Sequence, residues 1–69
     1  MEGKVKLVKI KYGLRKAGWG SCEAPPDEYI GQVGTIFRVL IYNEPQCYWV
    51  SFSDGKEFVL AIDELEQAQ

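Results

Sequence analysis

Few side chains in this chain are equipped for chemistry, and the spacing of most of them works against it. There is no histidine, which removes the commonest general base and metal ligand together. Cys22 and Cys47 are far apart and cannot complete a four-ligand zinc site without carboxylates or a second subunit. Cys22, in Gly20-Ser21-Cys22-Glu23, has no imidazole to activate it, and the neighbouring carboxylate opposes thiolate formation. Asp27–Glu28 and Asp63–Glu64 are adjacent pairs. Two carboxylates that act on one bond must flank it, whereas neighbours in sequence suit caps and turns. Gly18-Trp19-Gly20 lacks the lysine and following helix of a phosphate loop. No catalytic set, metal or cofactor is expected. What remains is an aromatic set, Tyr12, Trp19, Tyr29, Tyr42, Tyr48 and Trp49. Such rings offer large contact area at low entropic cost, with a polar tip for hydrogen bonding.

The elements that must position these rings read as short strands. Lys4–Lys11, KVKLVKIK, alternates charge with aliphatic residues. Its alternation slips between Leu7 and Val8, which predicts a bulge there. Tyr12–Ile30 is a long irregular connection broken by Gly13, Gly18, Gly20 and Pro25–Pro26. Connections of this length in a small domain usually serve function. Gln32–Tyr42 is a strand with Val33, Thr35, Phe37, Val39 and Ile41 on one face and Ile36, Arg38, Leu40 and Tyr42 on the other. Cys47–Ser53 puts Tyr48, Val50 and Phe52 toward the core and Trp49 outward. Asp54-Gly55 predicts a type I′ hairpin turn, and Phe58, Leu60 and Ile62 return in phase. Ile62-Asp63-Glu64-Leu65 suits one 3₁₀ turn before a last short strand. Residues 1–3 and 67–69 read as frayed ends.

Composition bounds the function. Sixty-nine residues make a single domain, and 46% hydrophobic content is too apolar for a disordered chain. A net charge of −2 argues against a protein devoted to holding phosphate backbone, although five of eight Lys and Arg fall between Lys4 and Arg15. No apolar run reaches the roughly 20 residues of a membrane span, and the N-terminus lacks a signal peptide's apolar core. A cytoplasmic location is expected. Two cysteines are not a secreted disulfide framework; free thiols are the expectation, and whether Cys22 and Cys47 meet stays open.

Gly31-Gln32-Val33-Gly34-Thr35-Ile36, Tyr48-Trp49-Val50-Ser51-Phe52, Asp54-Gly55 and Asp63-Glu64-Leu65 together resemble the small bacterial SH3-like barrels and KOW-type segments. The resemblance covers roughly residues 30–66, with Val5–Ile10 as a first strand. It implies an all-β, five-stranded SH3-like barrel with a long first loop and a closing 3₁₀ turn. It also implies a ligand groove beside that loop. In size and pattern the chain is distantly similar to the type II dihydrofolate reductases, active only as tetramers. The stretch corresponding to their catalytic strand is Phe58-Val59-Leu60-Ala61, which lacks the family's glutamine and tyrosine, so that activity does not carry over.

The expected function is a small non-catalytic docking module that self-associates and recognises a protein or small ligand. Its groove would use Tyr12, Trp19, Tyr29 and Trp49, with Arg15 and Lys16 at the rim. The alternatives are an enzyme assembled around a symmetric pore, and a KOW-like binder of nucleic acid or ribosomes, against which the acidic balance counts.

Overall fold

A computed structural model describes residues 1–12, 23–41 and 44–68. Its strands are β1 (Lys4–Leu7), β2 (Val33–Leu40), β3 (Cys47–Ser51), β4 (Glu57–Ala61) and β5 (Leu65–Gln67), with 3₁₀ turns at Asp27–Tyr29 and Ile62–Glu64. The fold is all-β, as the pattern implied. The five strands form one antiparallel sheet in the order β4-β3-β2-β1-β5. β4 and β5 are its two edges and do not pair, so the sheet is not closed as a barrel. The chain exposes 4356 Å², matching the roughly 4,400 Å² that size scaling gives a monomer of this mass.

The main core is Val5, Leu7, Tyr29, Tyr48, Val50, Phe52, Leu60 and Leu65, with Ile10, Ile36 and Phe58 packed against it. Tyr29 lies edge-on to Phe52 and Phe58, each at a centroid distance of 5.1 Å, the arrangement that ring quadrupoles favour. β3 and β4 are apolar on both faces, and the opposite face buries a smaller cluster. Cys47, Val59 and Ala61 are covered there by Tyr12, Leu40 and Trp49. A sheet covered on both sides reads as near-continuous apolar runs rather than clean alternation.

Four local expectations are corrected. β1 keeps an even register against β2 and β5 with no bulge, and the Val8 N–H bonds the Glu64 carbonyl at 2.9 Å in step with the β1–β5 ladder. The irregularity lies instead in β2, between Ile36, opposite Val50, and Arg38, opposite Trp49. The extra residue, Phe37, resets the alternation, so Val39 pairs with Tyr48 and Leu40 with Cys47. β2 therefore does not keep one set of residues on each face. The hairpin after β3 is not type I′: Gly55 alone has positive φ, and its N–H bonds the Phe52 carbonyl at 3.0 Å. Asp54 stays at negative φ because its Oδ1 accepts the Lys56 N–H at 2.9 Å, an Asx turn. Ile62 does not continue β4 but turns out half-exposed into the 3₁₀ turn, its N–H bonding the Gln46 carbonyl. Hydrogen bonds also reach the described residues at both ends. Gly3 accepts the Ile36 N–H, Ala68 N–H bonds the Lys4 carbonyl, and the Gln67 amide reaches the Glu2 and Lys4 carbonyls.

Gly34 lets β2 lie close against β3. A Cβ there would stand 2.5 Å from Val50 Cγ1 and 2.8 Å from the Ser51 carbonyl oxygen. Because one neighbour is backbone, the clash cannot relax by a rotamer change. Gly34→Ala should cost about 1–3 kcal/mol, the range for overpacking, read as a lowered urea midpoint at unchanged slope.

Candidate functional site

The long β1–β2 connection is held at both stems by a tyrosine and a carboxylate. At the first stem, Glu64 is wholly buried and its carboxylate accepts three backbone N–H groups. Oε2 takes those of Lys11 at 2.8 Å and Tyr12 at 3.2 Å, and Oε1 takes that of Ala61 at 3.0 Å. Glu64 is the third residue of its 3₁₀ turn and Ala61 the cap, so the last contact is half of a capping box. Ala61 has no side-chain acceptor to return it. Beside it, Asp63 Oδ2 accepts the Tyr12 hydroxyl at 2.9 Å and the Lys11 ammonium at 2.8 Å. At the second stem the 3₁₀ turn Asp27–Tyr29 points Tyr29 into the core, where its hydroxyl donates to Asp54 Oδ2.

These contacts move the groups' proton affinities. The Tyr29 phenol, donating to Asp54 and partly desolvated, is pushed up to about 12. The hydrogen bond from Tyr29 and that from the Lys56 backbone hold Asp54 below the usual carboxylate range. Lys11 and Tyr12 do the same for Asp63 against some desolvation, and Asp63 in turn raises both partners.

The two stems stand on opposite sides of the sheet. Tyr29 belongs to the main core, whereas Tyr12 and Trp49 pack on the smaller cluster of the other face. The structure thus brings Tyr12 and Trp49 together and separates Tyr29 from them. Trp19, Arg15, Lys16 and Cys22 lie outside the described residues, as does Tyr42. Cys47 is buried, and its thiol donates to the Pro45 carbonyl at 3.3 Å. The basic stripe is partly neutralised: Lys6 faces Glu66 at 3.6 Å and Lys11 faces Asp63.

Sequence reasoning missed Phe37. The bulge turns its ring onto Trp49, with a centroid distance of 6.0 Å, while leaving Phe37 51% exposed. Phe37, Trp49, Leu40 and Tyr12 then form an apolar surface over the smaller cluster, with Arg38 opposite Trp49 in the ladder. Near the other stem, a cavity of about 400 Å³ lies between Glu23, Pro26, Glu28, Lys56 and the rings of Tyr29 and Phe58. Among the described residues no three His, Cys, Asp or Glu are grouped to hold a metal ion, and no helix is long and apolar enough to cross a membrane. No family model, curated protein or solved structure matches the chain.

Two outcomes test the stems. Glu64→Gln keeps one carbonyl acceptor for three donors and should cost about 1–3 kcal/mol. Glu64→Ala, which strands all three, should cost more and leave little of a small domain's stability; equilibrium unfolding ranks them. For pH, Asp54 and Asp63 have depressed pKa values, so their contribution is present above about pH 4 and is lost as pH falls. Tyr29 and Lys11 are raised, so theirs is present below about pH 10 and is lost as pH climbs toward and beyond 12 for Tyr29. Melting temperature should form a plateau between these limbs, and Tyr29→Phe should flatten both.

Proposed function

We propose that this chain is a non-catalytic docking module of the SH3-like kind, whose binding surface is the aromatic face of Phe37, Trp49, Leu40 and Tyr12 at the first stem of the long connection. The single observation that carries the reading is Phe37. A bulge turns this large ring onto Trp49 and leaves it half in water. Bulges recur where a strand must re-aim a side chain, and a large exposed ring above a packed apolar cluster suits a contact site. The SH3-like part of the reading is supported by the strand order β4-β3-β2-β1-β5, the long connection between β1 and β2, and the 3₁₀ turn immediately before β5.

Self-association is part of the same proposal. Val39, opposite Tyr48 and so on the other face of the sheet from Trp49, is 42% exposed, and Ile41 just past β2 is 64% exposed, which leaves that end of the strand apolar beyond the segment Val33–Thr35 that β1 covers. The expected rim from Arg15 and Lys16 belongs to this proposal as well. The enzymatic alternative gains nothing from the geometry. Val59, Leu60 and Ala61, which a pore reading would place along a channel, are buried within the single chain.

The test begins with the solution mass by light scattering at two protein concentrations, for the native chain and for Phe37→Lys. The reading expects the native mass to rise with concentration and Phe37→Lys to stay monomeric, with its melting temperature close to native. The second arm records amide shifts while small aromatic fragments are added. Saturable changes centred on Phe37, Arg38 and Trp49 are expected. Native monomer at both concentrations, together with no fragment response at these residues, would remove the reading.

A further inference from the structure

A second cavity, used by none of the contacts above, lies over the β1–β2–β3 seam. Its volume is about 330 Å³, and Lys4, Thr35, Ser51 and Ser53 supply its polar lining beside Val33. The register explains why they meet. Lys4 stands opposite Thr35, and Thr35 opposite Ser51. Cross-strand partners share a face and neighbouring strands lie about 4.8 Å apart, so one ammonium and two hydroxyls form a row spanning about 10 Å. Ser53 follows two residues after Ser51, where the chain leaves β3. The backbone of Lys4 is anchored, its carbonyl accepting the Gln67 amide at 2.8 Å and the Ala68 N–H at 2.9 Å.

These donors are unused. Among the described residues, no hydrogen bond or ion pair engages the Lys4 ammonium or the hydroxyls of Thr35, Ser51 and Ser53, whereas Lys6 and Lys11 are paired with Glu66 and Asp63. No carboxylate lines the cavity, in a chain with ten Asp and Glu and a net charge of −2. The nearest acid in register is Glu57, opposite Ser51 and outside the lining. One positive charge with three neutral hydroxyls, and no acid among the lining residues, is a donor set for an oxyanion. Lysine supplies the point charge, and hydroxyls reach oxygens that point in other directions.

We propose that this cavity binds the phosphate group of a small phosphorylated ligand. The site uses neither Phe37 nor Trp49, so it stands or falls separately from the docking surface. The experiment is a titration of the isotopically labelled full chain at low salt, because exposed charge pairs are screened. Inorganic phosphate is the first probe, acetate the control, and ribose 5-phosphate the organic phosphate. Saturable amide shifts at Thr35, Ser51 and Ser53 are expected with phosphate at a Kd of about millimolar order, tighter with ribose 5-phosphate and absent with acetate. Lys4→Gln should weaken binding about tenfold, the size of one charge-assisted hydrogen bond, at an unchanged melting temperature. The pair Thr35→Val with Ser51→Ala should weaken it further. Equal responses to acetate, shifts spread over Lys6, Lys9 and Lys56, or an unaltered Kd in Lys4→Gln would overturn the site. A single-stranded oligonucleotide binding more tightly than ribose 5-phosphate at these residues would overturn its assignment to a small ligand.

Discussion

The buried carboxylate of Glu64 is the contact on which the rest of the arrangement depends. A chain of 69 residues has a small core, and its longest connection begins where β1 ends. Nothing in Lys4–Ile10 obliges the chain to turn at Leu7. The Glu64 side chain fixes the path that follows by gathering the N–H groups of Lys11, Tyr12 and Ala61, while its carbonyl takes that of Val8 in register with β5. Three elements thus converge on one residue: the exit of β1, the end of β4 and the entry to β5. A buried carboxylate is tolerated only when hydrogen bonds replace its water, so this placement is possible only in the assembled fold.

The second stem uses different chemistry for the same purpose. Tyr29 belongs to the core by its ring and to the β3–β4 hairpin by its hydroxyl, which donates to Asp54. Asp54 also holds its own turn through Lys56. Hairpin geometry and loop anchoring are therefore coupled through one side chain. The two stems emerge on opposite faces of the sheet, and that divides the aromatic residues into a buried group around Tyr29, Phe52 and Phe58 and a surface group around Trp49. Phe37, 51% exposed, stands with the second.

Much of the fold was legible in the residues. The positions of β3 and β4, the inward Tyr48, Val50 and Phe52, the outward Trp49 and the 3₁₀ turn before β5 all follow from period-two patterning and turn chemistry. The candidate surface was half legible. Trp49 stood out because it is a large ring at an outward position of a strand whose other face is the core. Phe37 did not, because a β-bulge leaves no mark in a strand where nearly every residue is β-branched or aromatic, and the reading assumed unbroken alternation. Grouping Tyr29 with Tyr12 and Trp49 rested on their closeness to one loop, and closeness in sequence does not say on which side of a sheet a stem emerges.

By itself, then, the sequence determined an all-β domain of five short strands, which residues of β3 and β4 face the core, and the lack of a histidine-based chemistry. These follow from local rules, alternation and turn preference, that act within a few residues. Only the tertiary structure decided the burial of Glu64, the open sheet with β4 and β5 at its edges, the shift of register at Phe37, and the row of Lys4, Thr35 and Ser51 across three strands. Each depends on contacts between residues distant in the chain. The energy of such contacts comes from desolvation and cross-strand pairing, which no local pattern encodes.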